Sequence, residues 1–279
     1  MAAVDLLEPL QFAFFRNGLV VATVAGALCG LVGVFVVLRG MSYLGHGLSH
    51  AVFGGAALSA VLGISYFVGA GLWGLLSALL IGRVARRRPV GADAAIGVVT
   101  TASFAIGLAI QARAGTAARS IDAVLFGNVL GVFAGDIVAV LAVGVVVVVT
   151  VTVLVRRLLF VTFDPEVAAV SGIAPAHVDA VLMLLLSATI LVTIRVVGVL
   201  LIAGLLVLPA VAARGMTDRF GRLVWLSPLL GALMGAVGMY ASWFADVPSG
   251  AAIVLVGTVV VAAAFVGPAR RRPALDVHV

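Results

Sequence analysis

Apolar runs of about 20 residues follow one another along nearly the whole chain, separated by short polar breaks. Each is long enough to cross a bilayer as a helix. The pattern predicts spans at about 18–38, 46–62, 66–82, 94–110, 132–155, 178–193, 196–212, 223–244 and 251–266. Backbone polar groups find no water inside lipid, so helices, which pair those groups internally, are the expected elements. The residue-by-residue alternation of an outer-membrane barrel is missing. The expected fold is an all-α polytopic membrane protein with eight or nine transmembrane segments. The second segment decides the count, being short, glycine-rich and headed by two histidines. Intact, it makes nine spans with the N-terminus outside; broken or re-entrant, it leaves eight with the N-terminus inside. Residues 5–15, with Pro9 among them, suit an interfacial stretch lying on the membrane, so 1–17 is set apart as an N-terminal segment. The whole chain, 1–279, reads as a single transmembrane domain, with a cytoplasmic tail at 268–279. No internal repeat marks an inverted-repeat carrier.

Composition sharpens this picture. Charged residues make up 10% of the 279, far below the quarter usual in soluble domains, so no separate soluble domain is expected. The net charge of +6 comes with arginine and no lysine. The arginines crowd into the loops "RVARRRPVGAD", "RRLLFVTFDPEVAAVSGIAPAHVD" and "RGMTDRFGR" and the tail "PARRRPALDVHV", as cytoplasmic anchors do. That placement argues against nucleic acid as a partner and for membrane lipid. Cys29 is the single cysteine, which rules out an internal disulfide and a cysteine-rich metal site. The start "MAAVDLLEPLQ" lacks the basic n-region of a cleavable signal peptide.

Candidate chemistry concentrates in "GHGLSHAVFGG", where His46 and His50 stand four apart. On a helix that spacing puts both imidazoles on one face. Neutral imidazole is a ligand for zinc, manganese and iron. The competing reading has each histidine bonded to a backbone carbonyl or to Ser42 or Ser49. The pair is favoured as a metal site because ionisable groups in a membrane are costly. The spacing matches a zinc-protease helix, but the general-base glutamate of H-E-x-x-H is absent, and no lysine exists to build a phosphate-binding P-loop. The chain is therefore not expected to be an enzyme; ATP, if used, must be hydrolysed by another subunit.

The second stretch of interest is "FVTFDPEVAAVSGI". Asp164 suits an N-cap, Pro165 the first helical position, Glu166 the first turn and Gly172 the stop. It predicts a short capped helix in a cytoplasmic loop, either an ordinary surface helix or a docking element.

Together these stretches resemble the membrane subunit of ABC importers, in the permease family that takes up zinc, manganese or iron. "VLRGMSYLGHGLSHAVFGGAAL" resembles the family's second-helix motif, and "GADAAIGVV" and "LFGNVLG" its middle motifs. "TFDPEVAAVSGI" resembles its coupling segment, and "VGVLLIAGLLVLPAVAAR" and "DVPSGAAIVLV" its C-terminal signatures. The resemblance runs nearly end to end, in family order. It implies that Asp164, Pro165, Glu166, Ala169 and Gly172 form the short cytoplasmic coupling helix, and that His50 lies on the metal path. At position 46 the family commonly has Asp, in a G-D-x-[LI]-[SA]-H-A pattern, where this chain has His46; an added nitrogen ligand suits zinc and a carboxylate suits manganese.

The implied partners are two ABC ATPase subunits, an extracellular metal-binding protein, and a second permease in a homodimer or a paralogue heterodimer. No permanently bound cofactor is implied; Zn2+ or Mn2+ is the cargo, with iron a further candidate. The expected function is the transmembrane subunit of an ATP-driven divalent metal importer. The alternatives are an ABC permease for an organic chelate such as a siderophore or cobalamin, and an uncoupled metal channel or carrier. The expected location is the cytoplasmic (inner) cell membrane.

Overall fold

The computed structural model describes residues 7–85, 92–113, 127 and 131–266. Every regular element among them is helical. A 3-10 turn at Glu8–Gln11 precedes α1 (Ala13–Leu38), α2 (Ser42–Leu62), α3 (Tyr66–Ala85), α4 (Ala92–Arg113), α5 (Ala134–Phe163), α6 (Pro165–Val170), α7 (Pro175–Val197), α8 (Ile202–Met216), α9 (Phe220–Ala245) and α10 (Ser249–Val266). Seven of these (α1, α3, α4, α5, α7, α9 and α10) are long and apolar enough to cross a membrane. α2 has the length, 21 residues, but its glycines, serines and histidines dilute its hydropathy. α8 is apolar but has only 15 residues.

Several boundaries move from those expected. α2 is an unbroken helix that starts at Ser42, ahead of the histidines. α5 continues past 155 to Phe163, because Arg156 and Arg157 stay exposed on the helix surface instead of ending it. The apolar run after 193 is where the chain breaks: Gly198 adopts φ +84, ends α7, and α8 begins only at Ile202. The division expected at Arg195 thus falls slightly later, at Gly198. The N-terminal stretch is a 3-10 turn at Pro9, and α1 begins at Ala13, where Phe14 and Phe15 pack on Trp243 of α9. The arginines at 86–88 and 270–272, most of "LFGNVLG" and the tail 268–279 lie outside the described residues.

α1 is central and touches α5, α7, α8 and α9. Its closest partner is α9, which it meets through small residues. A Cβ on Gly26 would stand 2.1 Å from the Gly231 carbonyl oxygen, and one on Gly231 would stand 2.0 Å from that of Gly26. Only glycine permits backbones this close, the small-residue packing that holds helices together in lipid. The Ser227 hydroxyl adds an interhelical hydrogen bond to the Gly30 carbonyl at 2.6 Å.

On the other side α2 packs between α3 and α4. Gly47 lies against Ile96 and Thr100, and Gly54 against Ser103, so α2 and α4 run in the same direction. α7 joins the two groups, packing on both α1 and α3. Two serine hydroxyls supply partners to backbone carbonyls at the break between α7 and α8, where backbone polar groups away from water need them. The Ser249 hydroxyl donates to the Val196 carbonyl (2.9 Å), and the Ser49 hydroxyl lies 3.1 Å from that of Val199.

Candidate functional site

His46 and His50 project from the first turns of α2, with ring centroids 4.7 Å apart and planes at 78°. Both are partly exposed, while the neighbouring Gly47, Leu48 and Ser49 are buried. Positions 46 and 50 share one face of the helix, whereas Gly47 lies against Ile96 and Thr100 and Gly54 against Ser103. Aromatic rings frame the pair, Phe104 of α4 edge-on to His50 at 5.2 Å and Tyr43 at 6.1 Å from His46.

No imidazole nitrogen hydrogen bond is made among the described residues. Ser49, the neighbour best placed to occupy an imidazole, instead sets its hydroxyl 2.7 Å from the His46 backbone carbonyl and 3.1 Å from that of Val199. That arrangement ties the histidine turn to the break between α7 and α8. Two imidazoles on one face have the donor chemistry for part of a coordination sphere, not for a closed cage. Among the described residues, no group of three or more His, Cys, Asp or Glu side chains gathers anywhere. A site with few protein ligands suits an ion that must leave again.

The second cluster is α6. Asp164 is its N-cap, with Oδ1 accepting the Val167 N–H at 2.9 Å; Pro165 and Glu166 occupy the first turn. At the other end Gly172 adopts φ +82. The Ile173 N–H bonds the Ala168 carbonyl (3.0 Å) and the Gly172 N–H that of Ala169 (3.2 Å), which makes a Schellman stop. A six-residue helix is marginal by itself, and these caps fix it. Ala168 is fully buried, whereas Glu166, Ala169 and Val170 face outward, Val170 at 87% exposure. Beside it opens a cleft of about 410 Å³ lined by Arg157, Ser171, Gly172 and His177.

Two ion pairs escaped the sequence reading. Arg39, at the end of α1, bonds Asp179 of α7 at 2.5 Å. Arg195 of α7 bonds Asp136 of α5 at 3.0 Å and lies over the rings of Tyr66 and Phe67 of α3 at 4.7 and 5.4 Å. The signal available was a lone charge within or beside an apolar run, which in a membrane calls for a partner. Sequence cannot name a partner 140 residues away.

The model of the ABC 3 transport family matches residues 11–267. The manganese transport system membrane protein MntC of Halalkalibacterium halodurans is 36% identical over 92% of this chain and 88% of its own length. The chelated iron transport system membrane protein YfeC of Yersinia pestis is 33% identical over 93% of this chain and 88% of its own. Among solved structures, a chain of PsaBC from Streptococcus pneumoniae in complex with a Fab superposes with a TM-score of 0.83, at 32% identity and over 93% of this chain and 94% of that one. Matched almost from end to end, the chain belongs to the ABC 3 transport family, the ABC metal permeases whose motifs its sequence resembles.

Proposed function

We propose that this multi-pass protein of the cell membrane is the transmembrane subunit of an ATP-driven importer of divalent metal ions. The observation that carries the reading is the pair of imidazoles at 4.7 Å, without hydrogen bonds among the described residues, on the turn of α2 braced by the broken helix. Neutral imidazoles without a donor to occupy them are ready ligands, and their partial exposure leaves room for water or for groups from a second permease. His46 and His50 are thus the metal ligands of a transient site on the transport path. Relatives named for manganese weigh toward Mn2+ as cargo, and two nitrogen ligands weigh toward Zn2+. No permanent cofactor takes part.

In this reading α2 and α8 span together with the seven long apolar helices, so the N-terminus lies outside. Asp164, Pro165, Glu166, Ala169 and Gly172 build a cytoplasmic coupling helix that docks on an ABC ATPase subunit. Its support is the exposure of Val167 and Val170 together, an apolar patch on a loop helix that a docked partner would cover. An extracellular metal-binding protein delivers the ion, and two permeases, identical or paralogous, form the path. The chain performs no covalent chemistry. ATP turnover in the partner subunits moves α6, and that motion switches access to the histidines.

The test is uptake of radiolabelled Mn2+ and Zn2+ into vesicles. Permease, ATPase and binding protein together should take up metal only with ATP, and the permease alone should take up none. Glu166→Arg should leave the permease folded while weakening ATPase association or separating ATP hydrolysis from uptake. ATP-independent flux through the permease alone would overturn the reading in favour of a channel.

A further inference from the structure

We propose that Arg39 is the positioning residue that carries movement of the coupling helix to the histidine turn; this rests on the functional reading above. The Arg39 side chain is only 8% exposed although it lies at a helix end. Its guanidinium fans out over three groups. Nε donates to the Thr162 hydroxyl at 2.9 Å, Nη1 to the Asp179 carboxylate at 2.5 Å, and Nη2 lies 3.4 Å from the Leu158 carbonyl. Thr162 and Leu158 belong to the last turns of α5, and Asp179 to the first turns of α7. Those two helices flank α6, so one side chain grips both arms of the coupling segment. Any displacement of α6 must move groups that Arg39 holds.

The other side of Arg39 leads directly to the histidines. Gly40 follows it with φ +66. The Met41 N–H bonds the Val36 carbonyl at 2.9 Å and the Gly40 N–H that of Val37 at 3.1 Å. This is a Schellman turn, a hydrogen-bonded elbow and not a slack linker. α2 starts at Ser42, so His46 is one helical turn beyond the elbow. The path from α6 to His46 is therefore α5 and α7, the Arg39 fork, a two-residue elbow and one turn of helix, contiguous throughout. Packed, bonded connections of this kind can carry energetic coupling between sites when they have two discrete arrangements. A lysine would keep the charge but present a point donor in place of the fork.

The experiment uses the complete assembly in vesicles, with ATP hydrolysis and metal uptake measured on the same samples. Arg39→Ala and Asp179→Asn should keep ATPase association and turnover while metal moved per ATP falls roughly fivefold or more. Arg39→Lys should fall between these and the parent. The double variant should fall little below Arg39→Ala, because both substitutions cut one link. A lowered melting temperature with an unchanged metal-per-ATP ratio would make Arg39 a structural staple and overturn the proposal. Asp179→Asn, nearly the same shape, supplies that answer if Arg39→Ala does not fold. Absence of ATP-dependent uptake in the parental assembly would overturn the functional reading itself; an unchanged ratio in the variants overturns only the role of Arg39.

Discussion

Gly47 stands between the two histidines, and Gly47→Ala tests whether packing sets their position. The Cβ of an alanine would lie 2.4 Å from Ile96 Cγ2 and 2.8 Å from Thr100 Cγ2. Carbon atoms in contact prefer about 3.5–4.0 Å, so relief needs roughly 1 Å of movement. Neither side chain can swing away. Both are β-branched and stiff on a helix, and the Thr100 hydroxyl is bonded to the Ile96 carbonyl at 2.8 Å. α2 must therefore part from α4 and take His46 and His50 with it. Overpacking costs about 1–3 kcal/mol. Replacing a helical glycine returns about 0.5–1 kcal/mol, leaving a net loss of up to about 2.5 kcal/mol.

The comparison variant is Gly97→Ala on α4, where an added Cβ meets no atom within 4 Å. It should be neutral or stabilising by about 0.5–1 kcal/mol. Thermal unfolding in detergent, followed by loss of soluble protein, should rank Gly97→Ala above the parent and Gly47→Ala below it. Metal uptake should fall only in Gly47→Ala. Ile96→Ala should be costly in the parent and less so with Gly47→Ala, since the two share one contact. Equal stability of the two glycine variants, with uptake intact in both, would refute the claim that the α2–α4 contact positions the histidines.

Three further outcomes follow from particular residues. Gly26→Leu should disrupt the α1–α9 seam and abolish the folded state in detergent, because backbone oxygen 2.1 Å away has no side chain to yield; a folded, monodisperse variant would contradict the packing. Cysteines placed at Arg83 and Arg222 should be labelled only from the cytoplasmic side and one at Asp246 only from outside, and any reversal would overturn the span arrangement. His46→Asp, which introduces the residue that the family resemblance implies at this position, should keep transport and shift preference from Zn2+ toward Mn2+; competition between the two ions for uptake reads the shift.

Much of this architecture was legible because a membrane imposes long apolar runs on every spanning helix. The caps of α6 were legible for a different reason: Asp164, Pro165, Glu166 and Gly172 each satisfy a local backbone demand, and each stands where that demand arises. The histidine pair was legible from spacing alone. The division near Gly198 was legible as a break, but its place was set a few residues early, at Arg195, because hydropathy does not report the backbone dihedral that ends α7 at Gly198. The length of α5 was misjudged because Arg156 and Arg157 resemble a loop in sequence but extend from a helix in space. The Arg39 fork was invisible because its partners at 158, 162 and 179 meet it only after α1, α5 and α7 have packed.

The most direct measurement for the central claim is ATP-driven metal uptake by the complete assembly carrying His46→Ala and His50→Ala together. The rings make no hydrogen bonds among the described residues, so their removal should leave the permease folded and bound to its ATPase. The account predicts that uptake of both Mn2+ and Zn2+ falls to the level seen without ATP, with ATP hydrolysis still measurable. Uptake at the parental rate in the double variant would contradict it, leaving the two imidazoles as packing residues against Tyr43 and Phe104.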